Sequence, residues 1–363
     1  MSAWRTSLTS IQLGRERLLD PTRELLFFDA YNQNQSNLQL KLKLPKKHET
    51  TMSIPQESVH SVLNHVLPHI ERHIQCQSLA STTPRPFILG LTGLQGSGKS
   101  TWTDAIVKEL RQSHGFNTIN LSLDDLYLDH DDLVQLRTAN PSNKLVQTRG
   151  QPGTHDMALA HSFFESLRTG SEILIPSFDK SKFNGEGGRT PKETWNRIPA
   201  GTAIDVVVFE GWCVGFQPLQ ETAVRQRWEE GSQKQTALEY PTETLRDHAV
   251  EHLLGVNTQL RGYCDLFMGP QHLDFLVHLD TDDLVNVYRW RMQQEHALRA
   301  RTNESMTDEQ VVQFVKGYMA AYELYLDQLR RGFFGPSAPN VDNKGQLRVV
   351  LDQDRTVVDI DLY

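Results

Sequence analysis

Cysteine is scarce. Cys76, Cys213 and Cys264 are three residues in 363, odd in number and far apart. They show no C-x-x-C spacing, so neither a disulfide framework nor a cysteine zinc site is expected, and a reducing compartment fits best. The histidines lack H-E-x-x-H or other metal-ligand spacing. Residues such as His161 and His278 read as helix and strand positions rather than ligands. No apolar run approaches the roughly 18 residues needed to cross a bilayer. A basic surplus is missing as well. Lys and Arg number 37 against 45 Asp and Glu, for a net charge of −8. That argues against general nucleic-acid binding, yet a site for a small anion needs only local positive charge. These absences lead us to expect a cytoplasmic protein with no nucleic-acid partner and no membrane. The N-terminus, "MSAWRTSLTSIQLGRERLL", carries arginines and hydroxyls and no acid before Glu16. This is the composition of a weak mitochondrial presequence without a clear apolar face.

What is present is a soluble-protein composition, 38% apolar and 23% charged. Residues 1–85 read as a partly helical N-terminal extension: a polar stretch, a basic run, a helix at 58–74 interrupted or kinked near Pro68, then a linker. From Pro86 onward apolar strands alternate with helices. "FILGLT" and "AIDVVVFEG" are continuous apolar runs, as buried parallel strands require. "NTINLSL", "EILIPSF" and "LDFLVHLD" are further strands. Helices are expected over "KSTWTDAIVKELRQSHG", over "HDMALAHSFFESLRTG", over "DDLVNVYRWRMQQEHALRAR" and onward from the capping box "TDEQ" at Thr307. "LRVVLD" and "TVVDIDLY" close the chain as strands or an edge hairpin. The alternation predicts an α/β fold with a doubly wound, mostly parallel sheet.

"GLQGSGKST" holds the pattern G-x-x-x-x-G-K-[ST] between an apolar strand and a helix, the context this motif requires. Its residues are Gly93, Leu94, Gln95, Gly96, Ser97, Gly98, Lys99, Ser100 and Thr101. The glycines let backbone N–H groups converge on phosphate oxygens, and the helix adds its positive end. Lys99 is expected to meet the β- and γ-phosphates of ATP, and Ser100 to ligate Mg²⁺.

Phosphoryl transfer also needs a group that orients or deprotonates the acceptor, and help in holding the metal. "SLDDLY" ends a strand with Asp124 and Asp125, where ligands bind in open α/β sheets. Neighbours on a strand face opposite ways, so one is expected to face the ligand while the other caps or pairs nearby. "VVVFEGW" ends in Glu210. A carboxylate closing a buried strand is poorly explained by packing, and we read it as an acid acting on Mg²⁺ or its waters. "FDKSKFNGEGGR" carries Lys180, Lys182 and Arg189 on a flexible loop that is either solvated surface or site. Arg291, on a helix, either pairs with Glu295 at i+4 or closes over the phosphates as a lid residue. "QTRGQPGTHD" reads as a turn, broken at Pro152-Gly153 with a helix beginning at Thr154 or His155. It also brings Arg149, His155 and Asp156 together.

In their order, "GLQGSGKST", "SLDDLYL", "NKLVQTRGQPGTHD", "PSFDKSKFNGEGGR", "VVVFEGWCVGFQPL" and "YRWRMQQE" resemble the D-glycerate 3-kinases and the related fungal ATP-dependent kinases. These group with uridine kinase, pantothenate kinase and phosphoribulokinase. The resemblance spans roughly residues 86–335. It implies a P-loop NTPase kinase fold over 86–363 with a lid and a helical N-terminal extension, ATP and Mg²⁺ as cofactors, and a glycerate-like small-molecule substrate. Asp124-Asp125-Leu126-Tyr127 matches the D-S-F-Y block of uridine kinases, which makes Asp124 the expected base. Glu210 matches the family's strand-end acid. Glycerate's carboxylate and hydroxyls would then be held by polar residues around Asp125, Tyr127, Arg149, His155, Asp156, Lys180 and Arg189. The segment 221–247 reads as an insertion.

Overall fold

A computed structural model describes residues 54–79, 85–231, 239–302, 305–335 and 343–363. The presequence-like start and the basic run lie outside the described residues. In chain order the elements are α1 (Gln56–Leu79), β1 (Phe87–Gly93), α2 (Lys99–Gln112), β2 (Thr118–Ser122), α3 (His130–Ala139), α4 (Met157–Thr169), β3 (Ile173–Ile175), β4 (Phe178–Asp179), β5 (Gly188–Arg189) and β6 (Asn196–Ile198). They continue with β7 (Val206–Gly211), α5 (Glu221–Glu230), α6 (Val250–Tyr263), β8 (Phe275–Asp280), α7 (Val285–Thr302), α8 (Asp308–Arg330), β9 (Gly345–Leu351) and β10 (Val357–Leu362).

The main sheet has the order β10-β9-β8-β1-β7-β2. All its neighbouring strands run parallel except β10, which turns back antiparallel on β9. Every residue of β1, β7 and β8 is buried, which is why these segments carry no polar alternation. β10 is an edge strand and has no fully buried residue. The expected doubly wound, mostly parallel sheet is what the chain forms.

Several local expectations need correction. Of the two expectations at Pro68, interruption or a kink, the interruption does not occur: the helix runs on through it as one element, α1. Its face of Val59, Val62, Leu63, Val66 and Ile70 is buried in the common core, and that burial outweighs the hydrogen bond the proline removes. All described residues fall in one compact unit. The helix expected at Thr154 or His155 begins at Met157. Asp156 is its N-cap, accepting from the Leu159 N–H at 2.9 Å. It ends, as expected, on left-handed Gly170. "EILIPSF" contributes β3 to a separate two-stranded sheet with β6 rather than to the main sheet. The Thr307 capping box is present, with Gln310 reciprocating.

Candidate active site

β2, β7 and β1 lie side by side and parallel, so their carboxyl ends open on one edge. Register places Leu91 and Ser122 on either side of Glu210. The phosphate loop starts at Gly93, two residues beyond Leu91, and therefore beside that acid.

The loop is held by its own backbone and by distant side chains. Ser97 N–H donates to the Leu94 carbonyl at 3.2 Å, and the Lys99 ammonium donates to the same oxygen at 3.2 Å. Gln95 N–H donates to the Tyr322 hydroxyl at 3.0 Å. Gly98, at φ 90°, caps α2 in the left-handed region. Gly96, at φ 82°, has no space for a side chain, since a Cβ there would lie 2.7 Å from Trp290 Cβ. Ser100 is exposed in the first turn of α2, where helical N–H groups lack intrahelical partners. Burial pulls the Lys99 ammonium below its ordinary pKa, against the opposing attraction of Glu210 and then Asp124.

Asp124 and Asp125 sit on a 3-10 turn, Leu123–Leu126, at the end of β2. They diverge, but through this turn and not by the strand alternation expected. Asp124 accepts from the Tyr127 hydroxyl at 2.8 Å and from Lys180 at 2.5 Å. Burial raises its carboxyl pKa, but Lys180 and Tyr127 more than reverse this and keep it below the ordinary value. Asp125 instead accepts from the Phe178 N–H at 3.0 Å and so anchors β4. Burial, with Asp124 adding to it, pushes Asp125 up to about 6 against the pull of the Phe178 N–H. Glu210 is buried and accepts from the Ser122 hydroxyl at 2.5 Å. Burial raises its pKa, opposed by Lys99 and that hydroxyl.

Around Asp124, four separated segments converge. Tyr127 stacks on His155 with ring centroids 4.5 Å apart and meets Phe178 edge-on. His155 is buried, and burial lowers it to about 4 although Asp124 opposes this. The Tyr263 hydroxyl accepts from the Gly153 and His155 N–H groups at 2.8 and 3.2 Å and lies 2.8 Å from His155 Nδ1. With both lone pairs filled, Tyr263 must give its own proton to Nδ1. Neutral His155 therefore carries its proton on Nε2, a buried atom without a partner among the described residues.

The remaining expected residues serve the walls. Asp156 caps α4 and pairs with Arg189 at 2.9 Å, while Arg189 also donates to the Tyr127 carbonyl at 2.9 Å. Arg149 donates to the Gly185 and Glu186 carbonyls at 2.8 and 2.5 Å, tying the turn at 149–156 to the loop at 183–187. Lys182 donates to the Arg189 carbonyl at 2.9 Å. The 178–189 loop is thus pinned rather than simply solvated. Arg291 takes the helical option: it pairs with Glu295 and lies over the Phe314 ring. Its backbone nonetheless borders the phosphate loop, since a Cβ on Gly96 would sit 3.2 Å from Arg291 N. Behind this wall is a cavity of about 440 Å³, lined among others by Thr148, Arg149, Gly150, Gln151, Phe314 and Tyr318.

Residues not singled out in the sequence complete the frame. Trp212 donates from its indole to the Gly150 carbonyl at 3.0 Å. Tyr263, Tyr322 and Ser122 position His155, Gln95 and Glu210, as described above. All three lie inside apolar or helical runs, where their polar atoms gave no signal.

No family model matches the chain. Among curated proteins it is similar to "Uncharacterized kinase mug58" of Schizosaccharomyces pombe, 42% identical over 248 residues, covering 68% of this chain and 83% of the relative. It is similar to "Probable ATP-dependent kinase TDA10" of Saccharomyces cerevisiae, 32% identical over 280 residues, covering 75% and 88%. Among solved structures, D-glycerate 3-kinase from Cryptococcus neoformans matches with a TM-score of 0.72 at 31% identity, covering 84% of this chain and 99% of that one.

Proposed function

The chain belongs to the glycerate-kinase-like family of P-loop kinases and is an ATP-dependent small-molecule kinase, and on that premise we propose that its acceptor is D-glycerate. The observation that carries this reading is the Asp124 carboxylate, held by Tyr127 and Lys180 at the strand end next to Lys99 and Glu210. In the proposed reaction the primary hydroxyl of D-glycerate attacks the γ-phosphorus of ATP and the bond to the β-phosphate oxygen breaks. The hydroxyl proton passes to Asp124, and the products are 3-phospho-D-glycerate and ADP. Ionised Asp124 is suited to orient that hydroxyl, which would exchange with Lys180 for the carboxylate. Lys180, freed, and Arg149 at the wall supply positive charge for glycerate's own carboxylate. His155 offers a neutral donor at Nε2, while Arg189 and Asp156 hold the wall. Lys99 stabilises charge on the transferring group, and Arg291 joins it if the Glu295 pair opens. Catalysis on this reading is mainly positioning and electrostatics.

Ser100 and Glu210 fit Mg²⁺. They offer only oxygen donors, and Glu210 is a buried carboxylate whose charge burial disfavours and a cation would favour. Among the described residues no cluster of three His, Cys, Asp or Glu could hold a metal alone, so ATP phosphates would have to share the ion. When bound, Mg²⁺ would neutralise charge developing on the phosphates.

One second reading keeps the same site and changes only the acceptor. Asp124, held by Tyr127 and Lys180, would orient the hydroxyl of another small alcohol in the same way, so an alcohol bulkier than glycerate is the alternative acceptor. ADP release measured with D-glycerate, L-glycerate, pantothenate, uridine and no acceptor separates the two. We expect strong stimulation by D-glycerate alone. Stimulation by a bulkier alcohol in its place would install the second reading, and equal rates with every acceptor would overturn both.

A further inference from the structure

We infer that Arg355, in the turn between β9 and β10, is a positioning residue for the nucleotide: it locks one peptide of the phosphate loop and ties that loop to α7. Its guanidinium donates from Nε to the Gly96 carbonyl at 2.6 Å. A second nitrogen donates to the Trp290 carbonyl at 2.8 Å and the third to Gln293 Oε1 at 2.7 Å. One planar fork therefore spans the loop and the first turns of α7, a geometry that suits arginine and not lysine.

The bond to Gly96 matters because of what a phosphate loop must present. N–H groups attract the phosphates, and a carbonyl turned inward repels them. Glycine makes the peptide that follows it easy to flip. Here the Gly96–Ser97 peptide is held at both ends, its carbonyl by Arg355 and its N–H by the Leu94 carbonyl at 3.2 Å. The first grip comes from the C-terminal hairpin, 259 residues away in the chain.

The hairpin is built to deliver that side chain. Asp352 accepts from the Asp354 and Thr356 N–H groups at 2.9 and 2.8 Å, which closes the turn. The Trp290 indole donates to the Gln353 carbonyl at 2.9 Å, so α7 holds the turn in return. Arg355 itself sits at φ 65°, a left-handed conformation that glycine or asparagine adopts at lower cost. An arginine at such a position is explained by its side chain, because the backbone alone favours another residue.

Arg355→Gly separates the two contributions, since it relieves the backbone and removes the fork. Calorimetric binding of a non-hydrolysable ATP analogue is the main readout, and it needs no knowledge of the acceptor. We expect affinity to fall about tenfold, with kcat at saturating ATP close to wild type and the KM for the acceptor unchanged. Arg355→Lys, which keeps one donor for Gly96, should recover part of the loss, and it serves as the test if the glycine variant does not fold. Wild-type nucleotide affinity in either folded variant overturns the inference. So does an equal rise in the KM values of ATP and acceptor, which marks a general loss of structure.

Discussion

The nucleotide side and the acceptor side of this site are built on different plans. The phosphate loop is nine consecutive residues, Gly93–Thr101, and its chemistry resides in backbone N–H groups and one lysine. The proposed acceptor side draws Asp124 and Tyr127 from the turn after β2, His155 from the connector before α4, Lys180 from the β4–β5 loop, Arg189 from β5, and Tyr263 from the end of α6. The first needs a local conformation, which a short motif can encode. The second needs a packed molecule to bring its parts within hydrogen-bonding distance. Two strand-end acids show the same division. Glu210, near the end of β7, accepts from Ser122 and feels the charge of Lys99, then of Asp124 and Lys180. Asp280 closes β8 and is matched by Arg330 and Arg348, both at 2.7 Å, which with His278 hold it down near 2. Their settings along the chain look alike, yet Asp280 fastens α8 and β9 to β8 while Glu210 lies beside Lys99 of the phosphate loop.

Substitutions on the two sides should therefore separate kinetically. Lys99→Ala should cost most, about a thousandfold in kcat, because its charge acts on the transferring group itself. Single-turnover measurement with saturating ATP checks this. Asp124→Asn comes next, with turnover down about a hundredfold or more and nucleotide binding kept. If Asp125→Asn abolished turnover and Asp124→Asn did not, the division between site and scaffold on this turn would be reversed. Tyr127→Phe removes one hydrogen bond to Asp124. It should lower kcat/KM for the acceptor about tenfold while leaving the KM for ATP alone. A larger change in the ATP constant would break the comparison between the two sides.

The smallest effect is on stability. Burial holds His155, His248 and His278 each at about 4, below their ordinary 6.5. Unfolding then takes up protons, so their contribution is complete above about pH 6.5 and is lost as pH falls toward 4. Asp125, at about 6 against an ordinary 3.8, works in the opposite sense: its contribution is present at low pH and is lost as pH rises through about 6. Glu323, which burial raises to about 7 from 4.5, acts in the same sense as Asp125, and thermal midpoints should still fall on acidification because three histidines oppose two carboxyls. His155→Gln should flatten the slope, and an unchanged slope would show that acceptor-side burial is not its source.

Sequence reading went far with the fold and unevenly with the site. The parallel sheet, the α4 stop at Gly170 and the Thr307 capping box were legible because each rests on contiguous pattern or on a cap within one turn. The start of α4 differs from the expectation because Thr154 is as acceptable a cap type as Asp156, and the Thr154 hydroxyl is taken by the Gly150 N–H and the Gln151 carbonyl instead. That α1 continues past Pro68 is not legible in the chain, because the burial that carries the helix through it depends on what lies beneath. Arg291 was left between two roles, and the side chain was decided by Glu295 and Phe314, the latter on a different helix. The insertion read at 221–247 contributes α5, whose Val224 is buried in the common core.

The phosphate loop, the strand-end acids and the alternation that sets a doubly wound sheet are each written in neighbouring residues and follow from backbone geometry. Only the tertiary structure decided which acid remains uncommitted to an arginine pair, which nitrogen of His155 bears its proton and which residue secures the Gly96 carbonyl. Those outcomes depend on hydrogen-bond partners up to 259 residues apart in the chain, and such partners meet only when burial brings their elements together.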